Sequence, residues 1–159
     1  MTGHNPTDRG KLGSKRHINT DKSGIPLSTF ITSANTHDVT VATNTIDNIV
    51  IKRPSQSSLS HNKSSKHKQN LCLDKAYHSK EVEQEIIKRG YNPHIRHRWE
   101  EIIFGRKKHP ARRWVVERTN SWHNRFRKLF TRYEKKDKNY LGLVQLANSL
   151  IVYRRLILG

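Results

Sequence analysis

Asn70-Leu71-Cys72-Leu73-Asp74-Lys75-Ala76-Tyr77 is the stretch on which the fold turns. Leu71, Cys72 and Leu73 form a short apolar run, which predicts a buried strand over residues 70–74. Asp74 ends that run, at the strand tip where open α/β sheets place ligand groups. A second stretch, Arg112-Arg113-Trp114-Val115-Val116-Glu117-Arg118-Thr119, sets another carboxylate on a predicted helix. Carboxylates are scarce here: 31 Lys and Arg face 13 Asp and Glu, a formal charge of +18. Two of them in such settings point to a divalent-metal site acting on a phosphate backbone. Each also has a plainer reading. Asp74 could cap a turn, and Glu117 could pair with Arg113 one helical turn away.

Outward from Asp74, Ser79 to Arg89 predicts a helix with Ser79 as N-cap, Val82 and Ile86 on one face and Gly90 as stop. Tyr91 to Ile95 reads as a short strand. Residues 96–113 form a basic connector, and a long helix is predicted from about Ala111 to Lys136. Val115, Trp122, Phe126, Leu129 and Tyr133 share its apolar face, with Arg113, Glu117, Asn120 and Asn124 opposite. A last helix runs from about Leu141 to Leu158. Upstream, residues 1–15 read as a loop, and residues 16–22 and Pro26 to Ala34 as a hairpin. Val39 to Val50 read as a helix capped by Asp38. Residues 53–69, rich in Ser, Lys and His, read as a flexible loop. The element order indicates one mixed α/β domain over residues 1–159.

The charge excess favours a polyanionic partner, with nucleic acid foremost. From Arg89 to Lys138 there are 16 Lys and Arg against 5 Asp and Glu, so the excess overlaps the Glu117 helix. Arg112, Arg113, Arg118, Arg125, Arg127 and Lys128 are candidate phosphate contacts. Trp114 and Trp122 are candidates to stack on unpaired bases, with core packing favoured for Trp122. The single cysteine, Cys72, excludes an intrachain disulfide and reads as a buried small side chain. Ten histidines show no zinc-ligand spacing, and Asp8 to Gly13 lack the context of a P-loop. No run approaches the roughly 18 apolar residues of a membrane span, so no membrane partner and a cytoplasmic location are expected.

Several segments, taken in order, resemble the C-terminal part of a bacterial insertion-sequence transposase of the DDE superfamily, most like the group named after insertion sequence five. They are Asn5 to His17, Gly24-Ile25-Pro26-Leu27, Ala34-Asn35-Thr36-His37-Asp38, Asp74-Lys75-Ala76-Tyr77 and Arg113 to Thr119. The resemblance implies an RNase H-like mixed sheet flanked by helices. It also implies two Asp and one Glu holding Mg²⁺ (or Mn²⁺) for phosphodiester cleavage and strand transfer in DNA transposition. Asp74 matches the second Asp and Glu117 the Glu, and both are expected to be catalytic and metal-binding. Arg113 and Glu117 match a Tyr, Arg, Glu, Lys signature, whereas its Tyr position holds Pro110 and its Lys position Asn124. The first Asp has no counterpart. The expectation is therefore a sheet incomplete at the N-terminus, lacking its first strand, and a chain inactive alone. Expected partners are element-end and target DNA, an upstream-frame product and a second copy. The competing reading is a non-enzymatic basic nucleic-acid-binding protein, indifferent to the loss of Asp74 or Glu117.

Overall fold

The computed structural model describes residues 2–51, 68–95 and 112–159. They form a mixed α/β structure that divides into two compact units, residues 1–49 with 112–159, and residues 50–111. The expected loop at 53–69 and basic connector at 96–113 lie almost wholly outside the described residues.

In the first unit, strands β1 (Gly3–His4), β2 (Leu12–Thr20) and β3 (Pro26–Ser33) form an antiparallel sheet in that order. The β2–β3 hairpin matches the expected one. Residues 1–15 are not all loop, because Gly3–His4 pairs with Leu12–Gly13 and β2 starts at Leu12. The hairpin closes on Asp21, whose Oδ1 accepts from the Ser23 and Ile25 amides at 2.8 Å each. Gly24 takes φ +78°, a left-handed conformation that glycine adopts without a Cβ penalty.

Alternation along the strands assigns the two faces of this sheet. Lys15 and His17 point toward helix α1 (Asp38–Asp47), where Lys15 Nζ lies 3.0 Å from Asp38 Oδ1. Ser14 and Arg16 point to the other face, which carries helices α3 (Arg113–Asn124), α4 (Arg127–Phe130) and α5 (Asp137–Leu156). Ile31, Leu129, Tyr140, Val144 and Ala147 form the core there. Residues at 140, 144, 147 and 151 of α5 are buried, a 4-3-4 spacing that keeps one stripe on the sheet.

Three further expectations need correction in this unit. Asp38 is not the N-cap of α1. His37 holds that position, and the Asp38 carboxylate is drawn to Lys15. The helix also stops at Asp47, because Asn48 turns its side-chain amide back to the Asn44 carbonyl at 2.7 Å; Val50 is exposed. The long helix from Ala111 to Lys136 is broken after Asn124. The Arg125 and Phe126 amides bond back to the Trp122 and His123 carbonyls, and Phe126 turns extended (φ −87°, ψ 103°) to cap α4. The bend brings Phe126 and Leu129 onto the core and leaves Tyr133 exposed. Arg132 ties down the following segment. It donates to the Glu134 carbonyl at 2.8 Å, to Asp137 Oδ1 at 2.6 Å and to Ser14 on β2, with its guanidinium over the Tyr140 ring.

In the second unit, β4 (Asn70–Leu73) and β5 (Asn92–Ile95) pair in parallel, joined through helix α2 (Lys80–Lys88). Val82 and Ile86 of α2 are buried together with Leu71, Tyr91 and Ile95. Beyond Arg89 the helix ends in a Schellman arrangement. The Gly90 amide bonds to the Ile87 carbonyl at 2.8 Å, the Tyr91 amide to the Ile86 carbonyl at 3.1 Å, and Gly90 has φ +78°. Cys72 is exposed rather than buried, since alternation on β4 points Leu71 inward and Cys72 outward.

Candidate active site

Asp74 follows directly on β4, and its backbone is extended (φ −71°, ψ 161°). Its Oδ1 accepts from the Lys75 amide at 2.7 Å, and its carbonyl accepts from the Tyr77 amide at 3.0 Å. Asp74 thereby starts a short 3-10 turn over Lys75–Tyr77. The plainer reading as a turn cap is realised, and the residue is still exposed at the C-terminal end of a parallel strand. Both features follow from one position, because a strand end leaves backbone donors unpaired and open to an anionic side chain.

Glu117 lies on the outer face of α3. Its Oε1 is 2.8 Å from Arg113 Nε, and the two side chains are 59% and 71% exposed. This is the expected i, i+4 pair, worth a few tenths of a kcal/mol at such exposure. Glu117 belongs to the first unit and Asp74 to the second. Among the described residues, no group of three or more His, Cys, Asp or Glu side chains is placed to hold a metal.

The inner face of α3 explains why Glu117 points outward. Val115, Thr119 and His123 recur every four residues and are buried. Thr119 Oγ1 donates to the Gly24 carbonyl at 2.6 Å, which seats the helix on the β2–β3 turn. With that stripe buried, Arg113, Glu117 and Asn124 face solvent.

The candidate DNA contacts divide into two kinds. Arg112, Arg113, Arg125, Arg127 and Lys128 are exposed. Arg118 is half-buried, with its guanidinium 4.9 Å from the Trp114 ring centroid and 5.4 Å from that of Trp122. Arg155 of α5 approaches Trp122 at 5.0 Å, so Trp122 contacts two cations, while Trp114 is 55% exposed. Arg118 also borders Gly24, where a Cβ would come within 3.2 Å of its Nε and Nη2.

Several partners were not foreseen from the sequence. Arg16 on β2 donates to Asn124 Oδ1 at 3.1 Å, and Asn148 on α5 binds the buried His123. They lie 108 and 25 residues from their partners, so no local pattern encodes them. His123 offered the nearest signal, since it falls on the i+4 row of Val115 and Thr119. His17 is buried as well, its Nε2 2.8 Å from Thr32 Oγ1. Burial holds its pKa below the usual range, opposed by Asp38.

The family described as Transposase DDE domain matches residues 2–152 of this chain. A curated relative from Burkholderia cepacia, "Putative transposase for insertion sequence element IS402", is 36% identical over 155 residues, covering 98% of this chain and 70% of the relative. No solved structure matches. The match runs through the β2–β3 hairpin, Asp74 and the whole of α3, so the chain belongs to the DDE family of insertion-sequence transposases.

Proposed function

We propose that Asp74 and Glu117 serve as carboxylate ligands for divalent metal, and that the outer faces of α3 and α4 hold DNA. The observation that carries this reading is the presentation of both acids in a chain of charge +18. Asp74 is exposed at the C-terminal end of a parallel strand, and Glu117 is exposed on a helix whose inner face is fully engaged. Hard carboxylate oxygens suit Mg²⁺ or Mn²⁺, which take oxygen ligands and leave room for substrate phosphate. Such an ion supplies charge stabilisation to the oxygens entering and leaving a phosphodiester.

The chain's own residues do the rest. Arg113 pairs with the Glu117 carboxylate across one helical turn. Arg112, Arg125, Arg127 and Lys128 neutralise DNA phosphates without reading sequence. Arg118 is stacked on the indoles and supports that surface from beneath. The partners in this reading are element-end and target DNA, a second copy and an upstream-frame product. An RNase H-like sheet and membership of the insertion-sequence-five group belong to the same proposal.

The test is Mn²⁺ or Mg²⁺ titration of the chain, followed by nicking of labelled element-end DNA. Asp74→Ala and Glu117→Ala should each weaken metal binding at least tenfold and leave salt-sensitive duplex binding intact. Metal affinity untouched by either change would reject the site and leave a basic DNA-binding protein.

A further inference from the structure

His123 lies on α3, six residues beyond Glu117, and is 0% exposed. Its Nε2 is 2.7 Å from Asn148 Oδ1 on α5. The Asn148 amide nitrogen donates to Thr29 Oγ1 on β3 at 2.8 Å. With that nitrogen committed to Thr29, the amide oxygen faces the ring, so Nε2 must carry the proton and donate it. Nδ1 is then an unprotonated lone pair, and it has no hydrogen-bond partner among the described residues.

Among the described residues, nothing is placed to accept a second ring proton. From α5 the ring meets a neutral amide, and beyond it a hydroxyl of β3. The charged group acting on it is Arg16 of β2, which donates to Asn124 and whose Nη1 is likewise buried without a partner among the described residues. A protonated ring would therefore bury a charge and an unpaired N–H beside an existing cation. Both are costly in a dry interior.

We propose that His123 is a positioning residue that keeps α3 docked against α5 and β3 only as a neutral ring protonated on Nε2, so that acid releases the helix that presents Arg113 and Glu117. The consequence for Glu117 rests on the metal site proposed above, whereas the docking itself does not. Burial holds the His123 pKa below 6.5, opposed by the Asn148 bond and reinforced by Arg16. The released helix binds the proton more readily than the docked one. The docking contribution is therefore complete above the ordinary histidine value, and it is lost as pH falls below that value toward the lowered one. His17, buried on the opposite face with Thr32 and Asp38, adds an acid dependence of the same sign. Comparison with a variant removes it.

The experiment compares thermal midpoints at pH 8 and pH 5.5, at fixed ionic strength, for the full chain, His123→Gln and Asn148→Asp. Glutamine places an N–H near the Nε2 position and does not titrate. The natural chain should lose about 3 °C more than His123→Gln across that range. Asn148→Asp sets a carboxylate against the ring and should shrink the loss. Ring ¹⁵N shifts at pH 8, identified by their disappearance in His123→Gln, should report the Nε2–H tautomer. The same pH loss in all three chains, or an Nδ1–H tautomer, overturns the proposal. Metal affinity is read on the same samples at pH 8. Indifference to Glu117→Ala would sink the metal reading and leave the docking result standing. An unchanged midpoint shift with metal binding intact would sink the docking proposal alone.

Discussion

Helices α2 and α3 are both amphipathic, and each carries a turn of charged residues toward solvent, yet they are held by different means. Helix α2 is specified by its own neighbours. Glu81 and Glu83 sit in its first turn and Lys88 in its last, matching the helix dipole, and Gly90 closes it through two backbone bonds. Helix α3 has no acidic residue in its first turn and no side-chain cap at Arg112. Its place is set by residues far away in sequence: Gly24 under Thr119, Arg16 at Asn124 and Asn148 at His123. The helix that carries exposed Arg113 and Glu117 is anchored by tertiary contacts, whereas the helix connecting β4 and β5 is fixed by local signals.

That contrast can be broken most strongly at Arg132. Arg132→Ala removes the donors serving Asp137, Ser14 and the Glu134 carbonyl, and should cost about 3 kcal/mol of the first unit in urea unfolding. Next comes Gly24→Ala, which adds a Cβ at φ +78° within 3.2 Å of Arg118 and Thr119. Strain and displacement together should cost about 2 kcal/mol and raise hydrogen exchange along α3, with α2 unmoved. Gly90→Ala is the counterpart in α2, and about 1 kcal/mol should be lost there with α3 exchange unchanged. Smallest is Ser79→Ala. Ser79 stands at the N-cap, but its hydroxyl goes to the Glu81 carboxylate and makes no capping bond to the helix backbone. The loss should stay under ~0.5 kcal/mol, below the usual cost of a cap; a full kilocalorie would show that the cap forms in solution.

The same division explains what could be read in advance. The hairpin, the β4 strand, α2 and the short β5 were legible because turn residues and apolar spacing are local. The break at Arg125-Phe126 was not, since Val115, Trp122, Phe126, Leu129 and Tyr133 keep helical spacing straight across it. Only the pull of the Ile31–Tyr140–Val144 core on Phe126 and Leu129, and the grip of Arg132 beyond them, decides against one long helix. At the candidate site, the types and order of Asp74, Arg113 and Glu117 were legible from their motifs. The support beneath the helix of Arg113 and Glu117 was not, because Arg16, His123 and Asn148 meet only once the sheet and α5 are assembled.

The outward turn of Cys72 carries a consequence for handling the protein. It is the chain's single cysteine, and it is exposed two residues before Asp74. An accessible thiol oxidises with a partner's thiol in air once a fraction is ionised, near or above neutral pH. Preparations kept without reductant will therefore gather covalent pairs joined at β4, which add to any self-association measured. Mass measurements of self-association should be made with a reducing agent present, or on Cys72→Ser.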